Sequence, residues 1–159
     1  MTGADERPTI RLAGTADADI VAMLLHDFNT EYGTPTPDVG VLAGRLRRLL
    51  AGNMTLALVA GDPAVGVALL TLRTSVWYAG PVATLDELYV APPLRGRGVG
   101  GRLLSAAEDE VRRRGGEVVE INVDGDDGGA PRFYRRHGYR NTEIGDDVPL
   151  LYFFRELGP

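Results

Sequence analysis

The sequence predicts an α+β fold, a mixed and mostly antiparallel sheet flanked by helices in the order β-α-α-β-β-β-α-β-α-β-β. Three observations carry that reading. Apolar residues recur at helical spacing in two successive segments near the N-terminus. Three apolar runs joined by short Gly, Pro and Asp turns follow. The remaining elements then alternate without the regular strand–helix repeat of a doubly wound sheet.

Thr9 to Ala13 alternates polar and apolar side chains and reads as a strand, broken by Gly14-Thr15 ahead of Asp17, a residue suited to cap a helix. Ile20, Val21, Leu24, Leu25 and Phe28 then form one face of a helix that Gly33, Pro35 and Pro37 terminate. A second helix starts near Asp38, with Val41, Leu42, Leu46, Leu49 and Leu50 on its apolar side and Gly52-Asn53 at its end. Residues 54–60 and 64–78 read as strands of a hairpin closed by Gly61-Asp62-Pro63, and 81–90 as a third strand after the Ala79-Gly80 turn. The next helix has Val99, Leu103, Leu104, Ala107 and Val111 facing inward. Arg112 to Arg114 occupy its last turn, where the helix dipole favours cations. Residues 117–123 read as a strand, 130–137 as a short helix, and 139–143 and 149–155 as two closing strands.

No repeat, linker or change of composition divides the chain, so the expectation is one domain over residues 1–159. With 17 Lys+Arg against 22 Asp+Glu the net charge is −5, which argues against general nucleic-acid binding. All 17 basic residues are arginines, so no lysine side chain is available for modification. No apolar window is long enough to span a bilayer, and the first residues lack the basic and apolar regions of a secretory leader. A cytoplasmic protein with no membrane association is expected. With no cysteine, and with His26 and His137 far apart, neither a thiolate nucleophile nor a metal centre is expected. The Asp124-Gly125-Asp126-Asp127-Gly128-Gly129 run lacks the closing glutamate of a calcium loop.

The most informative segment runs from Leu88-Tyr89-Val90 through Ala91-Pro92-Pro93-Leu94 into Arg95-Gly96-Arg97-Gly98-Val99-Gly100-Gly101, a strand, a proline turn and a helix start. Exposed first-turn N–H groups, the helix dipole and glycines without Cβ atoms together make an anion site. A Walker A loop is excluded because no Gly-Lys-Ser/Thr occurs. Gly96, Gly98 and Gly101 match a dinucleotide fingerprint, with Glu120 near the spacing of its ribose-binding acid. That fingerprint belongs in a first βα turn followed by several more βα units, and the remaining chain is too short for them.

The R-x-x-G-x-G run from Arg95 to Gly100, together with Ala130-Pro131-Arg132-Phe133-Tyr134-Arg135-Arg136-His137-Gly138-Tyr139, resembles the two motifs of the GNAT superfamily of acyl-CoA N-acyltransferases. The element order resembles that family's over most of the chain. The resemblance implies acetyl-CoA as cosubstrate. It places the pyrophosphate on Arg95, Gly96, Arg97, Gly98, Val99 and Gly100, and the pantetheine arm on the backbone of Leu88, Tyr89 and Val90. It also places a pantetheine contact at Asp127, where family members often carry asparagine. An aspartate can accept a hydrogen bond there but not donate one.

Acetyl transfer to an amine needs a proton acceptor, a donor for the developing oxyanion, and an acid for the leaving thiolate. Asp86 and Glu87 are the candidate bases, and strand alternation sends them to opposite faces; Glu87 has the longer reach, and a water could relay the proton. A backbone N–H near Val90 is the candidate oxyanion donor if the strand parts from its neighbour there. Tyr134 resembles the family's proton donor to sulfur. The acceptor is then a small-molecule or peptide amine, selected, as in the family, by segments near 29–38 and 145–149. A homodimer is compatible with the fold and leaves no mark in the sequence. A different class, an idle CoA-binding or interaction module, uses the same phosphate-binding residues without turnover.

Overall fold

The computed structural model describes residues 7–125 and 129–158. The chain divides into two compact units, Met1–Ile121 and Asn122–Pro159. The first unit contains strands β1 (Ile10–Leu12), β2 (Thr55–Ala60), β3 (Gly66–Arg73), β4 (Val82–Val90) and β5 (Val118–Glu120). Its helices are α1 (Ala18–Glu31), α2 (Val39–Ala51) and α3 (Val99–Arg113). The strands lie in sequence order in one sheet, antiparallel except for the parallel β4–β5 pair. The expected architecture is therefore present, and it is not a doubly wound parallel sheet.

Helix α1 is entered through a short 3-10 turn, Thr15–Asp17, rather than through a simple aspartate cap. Asp17 accepts the Gly14 N–H (2.8 Å) and a forked pair of hydrogen bonds from Arg11 (2.9 and 2.6 Å). The Arg11 bonds are the chief reason that its carboxyl is held down to about 2, with the Gly14 N–H adding to the effect. The turn is thereby fixed to β1, and the start of α1 with it.

Two helical layers cover the sheet. Val21, Ala22 and Leu24 of α1 and Ala43 and Leu46 of α2 share a buried cluster with Ala57, Val59, Val67 and Tyr89 of the strands. A Cβ built on Gly66 would lie 3.1 Å from Leu103 of α3, so Gly66 and, by alternation, Ala68, Leu70 and Leu72 face α3. Leu70, Leu85, Leu103 and Leu104 are fully buried there. Removing each such leucine from water contributes about 1.5–3 kcal/mol.

Several expected strands are shorter. The second apolar run, expected as a strand over 64–78, forms ladder pairs only from Gly66 to Arg73, and β5 is three residues long. The second unit contains helix α4 (Gly129–Arg136) but neither of the two closing strands expected at 139–143 and 149–155. In their place is one antiparallel bridge, Thr142–Pro149, beside a hydrogen bond from Leu150 N–H to Asn141 O (2.7 Å). The ladder stops for a local reason. The Val148 N–H is turned to the Asp146 side chain (2.9 Å), and Pro149 has no N–H to donate.

Gly80 shows how closely the loops are fitted. A Cβ on it would fall 1.7 Å from the carbonyl oxygen of Gly115, which no side-chain adjustment can relieve. Gly44, inside α2, has nothing within 4 Å. Gly80→Ala is expected to lower the thermal midpoint by several degrees. Gly44→Ala should raise stability by about 0.5–1 kcal/mol through helix propensity. Denaturant unfolding of the two variants beside the parent protein checks both signs.

Candidate active site

The site is built on an irregularity of β4. Leu69 pairs with Glu87 but Leu70 pairs with Leu85, so Asp86 is an extra residue in β4, a β-bulge. Simple alternation across Asp86-Glu87 therefore fails. Glu87, opposite Leu69, lies on the sheet face covered by α1 and α2. Asp86 accepts a hydrogen bond from the Thr71 hydroxyl (2.6 Å), and Thr71 belongs to the same face. The expectation that the two acids point to opposite faces is thus corrected: the bulge brings both to one side. Glu87 is half-buried, and its loss of hydration, reinforced by the negative charge of Asp86, pushes its carboxyl above the ordinary range. Asp86 keeps more accessible surface. Desolvation by the surrounding protein still raises it, against the opposing Thr71 hydrogen bond.

Beyond the bulge β4 has an open edge. The parallel ladder with β5 begins at Val82 and ends at Thr84, so Leu85 to Val90 have no β5 partner among the described residues. The Ala91 N–H donates to the Val65 carbonyl (2.8 Å) next to the Val90–Gly66 pair. In an antiparallel ladder this bond pattern turns the N–H and C=O of Val90 away from β3, toward the side that β5 has left. The same holds for Leu88 two residues earlier.

The glycine turn follows directly. Pro92–Leu94 forms a 3-10 turn, and Gly96 and Gly98 adopt φ of +73° and +79°, with nothing within 4 Å of a built Cβ at either. These positive φ values are the physical reason for glycine at both positions. Helix α3 starts at Val99, and the Arg102 N–H donates to the Gly98 carbonyl (3.1 Å). The N–H groups of Val99, Gly100 and Gly101 lie before that bond, at the positive end of a 15-residue helix. Arg97 is exposed beside them. Arg102, in the first turn, has a buried Nη1 without a hydrogen-bond partner among the described residues. Open space over left-handed glycines and an unsatisfied guanidinium nitrogen fit an anionic group such as a diphosphate.

Arg95 is disposed differently. Its guanidinium forks onto Glu31 at the end of α1 (2.6 and 2.7 Å), its Nε donates to the Val90 carbonyl (2.8 Å), and it lies over the Tyr89 ring, 5.4 Å from the centroid. Tyr89 is buried and stacks on Phe28 at 5.4 Å.

In the second unit Tyr134 is a buried residue of α4, ringed by Phe133 (5.1 Å) and Tyr139 (5.6 Å), both edge-on. His137 closes that helix with Nδ1 2.8 Å from the Phe133 carbonyl oxygen. Asp127 lies outside the described residues. Among the described residues no group of three or more His, Asp or Glu side chains is arranged to hold a metal, and no helix is long and apolar enough to cross a membrane. Sequence reasoning missed Arg102, although a basic residue in the first turn of a glycine-led helix is itself a signal. It also missed the Glu31–Arg95 pair, 64 positions apart, for which local pattern holds no sign.

Comparison with known proteins agrees with this geometry. The family model described as acetyltransferase (GNAT) family matches residues 19–139. A crystal structure of a candidate acetyltransferase from Arthrobacter sp. FB24 superposes with a TM-score of 0.90 and 51% identity, covering 98% of this chain and 100% of that one. The aminoalkylphosphonate N-acetyltransferase of Salmonella typhimurium is 37% identical over 80 residues, 50% of this chain and 52% of the relative. That match therefore spans about half the length of the curated relative. The uncharacterized N-acetyltransferase YhfO of Bacillus subtilis is 28% identical over 132 residues, 82% of this chain and 88% of the relative. With its β4 edge and glycine turn in this arrangement, the chain belongs to the GNAT acetyltransferase family.

Proposed function

We propose that residues 1–159 form a single N-acetyltransferase domain that moves an acetyl group from acetyl-CoA to a primary amine by direct attack in a ternary complex. The observation that carries the reading is the open edge of β4 at Leu88–Val90, running directly into the glycine turn at the start of α3. An extended amide-bearing arm would pair along that edge while its diphosphate reached the N–H groups of Gly96 to Gly100, with Arg97 and Arg102 beside it. Acetyl-CoA supplies the activated thioester.

The protein's own residues supply the rest. The Val90 N–H, facing the open edge, donates to the acyl oxygen as negative charge develops on it. Glu87 takes the proton of the amine, directly or through water; its partial burial strengthens it as a base relative to an exposed carboxylate. Tyr134 returns a proton to the departing sulfur, a role that rests on the family resemblance of its motif. The Salmonella relative's name points to an aminoalkyl acceptor for that protein. A small-molecule or peptide amine is the class proposed for this chain.

Calorimetric titration with acetyl-CoA, desulfo-CoA and NAD, followed by an amine panel, tests the whole reading. Saturable binding of both CoA compounds without NAD, and turnover with an amine, is expected. Binding without turnover would leave an idle CoA-binding module, and no binding would remove the cosubstrate assignment. Gly98→Ala strains a left-handed position by about 1–2 kcal/mol and sets a methyl group in the open space over the amides. A loss of at least tenfold in desulfo-CoA affinity is expected from a variant shown by circular dichroism to be folded.

The raised carboxyl of Glu87 sets a pH dependence with a definite sign. The base works only when ionised, so kcat/KM should fall as pH drops through a value above the ordinary 4.5 of glutamate. Glu87→Gln should lower kcat by about 10²-fold or more and remove that limb, while any limb due to the amine persists in both proteins. A carboxyl raised by folding favours the folded state below its unfolded pKa and loses that contribution as pH rises through the folded value. At pH 7 Glu87→Gln should therefore melt no lower than the parent protein. An unchanged rate profile would move the base to Asp86 or to water alone. Tyr134→Phe should lower kcat while changing desulfo-CoA affinity less than threefold; an unaltered rate would take Tyr134 out of the reaction.

A further inference from the structure

We propose that Arg95 is a positioning residue, clamped between Glu31 and the Val90 carbonyl, which sets the backbone at the acyl site and ties the last turn of α1 to the glycine turn, and that it is not a phosphate ligand. The inference rests on the acetyl-CoA reading above. Three of the five N–H donors of the guanidinium are engaged, two by the Glu31 carboxylate and one by Val90 O. The carboxylate cancels the formal charge that a phosphate would seek. By contrast, Arg97 is exposed and Arg102 has a buried nitrogen without a hydrogen-bond partner among the described residues, so both keep charge to offer at the same turn.

Glu31 is itself informative. An acid in the last turn of a helix opposes the helix dipole, so its placement calls for a compensating cation. Arg95 provides one from a distant loop, and its hydrogen bonds hold the Glu31 carboxyl below the usual carboxylate range. The clamp has a third side, because the guanidinium covers Tyr89, which stacks on Phe28 of α1, and Phe28 meets Tyr32 edge-on at 5.2 Å. One guanidinium thus joins β4 at Val90, the core under α1, and the beginning of the 32–38 connection between the first two helices. Its Nε holds the Val90 carbonyl, on the peptide plane that follows the one carrying the Val90 N–H, and so limits how far Val90 can rotate at the acyl site. The function of Arg95 is therefore exerted through Val90 on the acyl group and not on the phosphates.

The two roles give opposite results. Glu31→Gln, Arg95→Gln and the double variant are titrated calorimetrically with acetyl-CoA and with desulfo-CoA, which carries the same phosphates and no thioester. Under the proposal each single substitution weakens acetyl-CoA by three- to tenfold and leaves desulfo-CoA within twofold, and the double variant is no weaker than either single one. If Arg95 were a phosphate ligand, Arg95→Gln would weaken both compounds equally and Glu31→Gln, by releasing the cation, would strengthen both; that pattern overturns the proposal. Affinities unchanged in all three variants overturn it as well. Should Arg95→Gln fail to fold, Glu31→Gln alone decides, since the sign of its effect differs between the two roles. Failure of the cosubstrate reading is distinct: the parent protein would then bind neither compound.

Discussion

Backbone hydrogen bonding along β4 is the constraint on which the site depends. A strand inside a sheet must satisfy N–H and C=O groups on both sides, and β4 is served by β3 along its length but by β5 only at Val82–Thr84. The bulge at Asp86 comes two residues after that last β5 pair. An extra residue there bends the strand and increases its twist, which carries the later residues away from the line of β5. The polar edge of Leu88 and Val90 is consequently turned to a side with no strand among the described residues. Such an edge is a template for an extended amide chain, and the site follows from sheet geometry before any side chain is considered.

The arginines divide by what they face. Arg11, Arg47, Arg73 and Arg112 to Arg114 pair with acids on the surface or on their own helix. The exposed pairs among them contribute about 0–1 kcal/mol each and do little to hold the fold, whereas Glu110, bonded by Arg113 and Arg114, is buried. Around the glycine turn the arrangement differs. Arg95 is bound to Glu31 and to backbone, while Arg97 is exposed and Arg102 keeps a buried Nη1 without a hydrogen-bond partner among the described residues. The net charge of −5 does not by itself oppose the proposed anionic ligand there, because the positive end of α3 and the neighbouring arginines act locally, within about one Debye length.

The helices were legible in the sequence because each has a strong apolar period and a glycine or proline boundary. The glycine turn was legible because positive φ at Gly96 and Gly98 leaves glycine as the unstrained choice. The bulge was not, since it is a property of register between two strands and Asp86-Glu87 reads as ordinary alternation. The closing strands were overread for a related reason. An apolar run such as Leu150 to Phe154 has strand composition, but pairing depends on available donors, and Pro149 and the Asp146 side chain remove two of them nearby. The Glu31–Arg95 contact joins distant segments and is carried by tertiary packing alone.

Placing Glu87 and Asp86 together on a half-covered face costs stability, because desolvation opposes both ionised forms and the charge of Asp86 opposes that of Glu87 as well. A core need alone would be met better by an apolar residue opposite Leu69, which packs at the margin of the α1–α2 cluster. The strain is limited where it can be: Thr71 donates to Asp86, while burial and the charge of Asp86 push the Glu87 carboxyl up. One acid is thus eased toward its ionised form and the other is kept more basic. That asymmetry supports the proposal that Glu87 accepts the proton, with the charge of Asp86 raising its carboxyl.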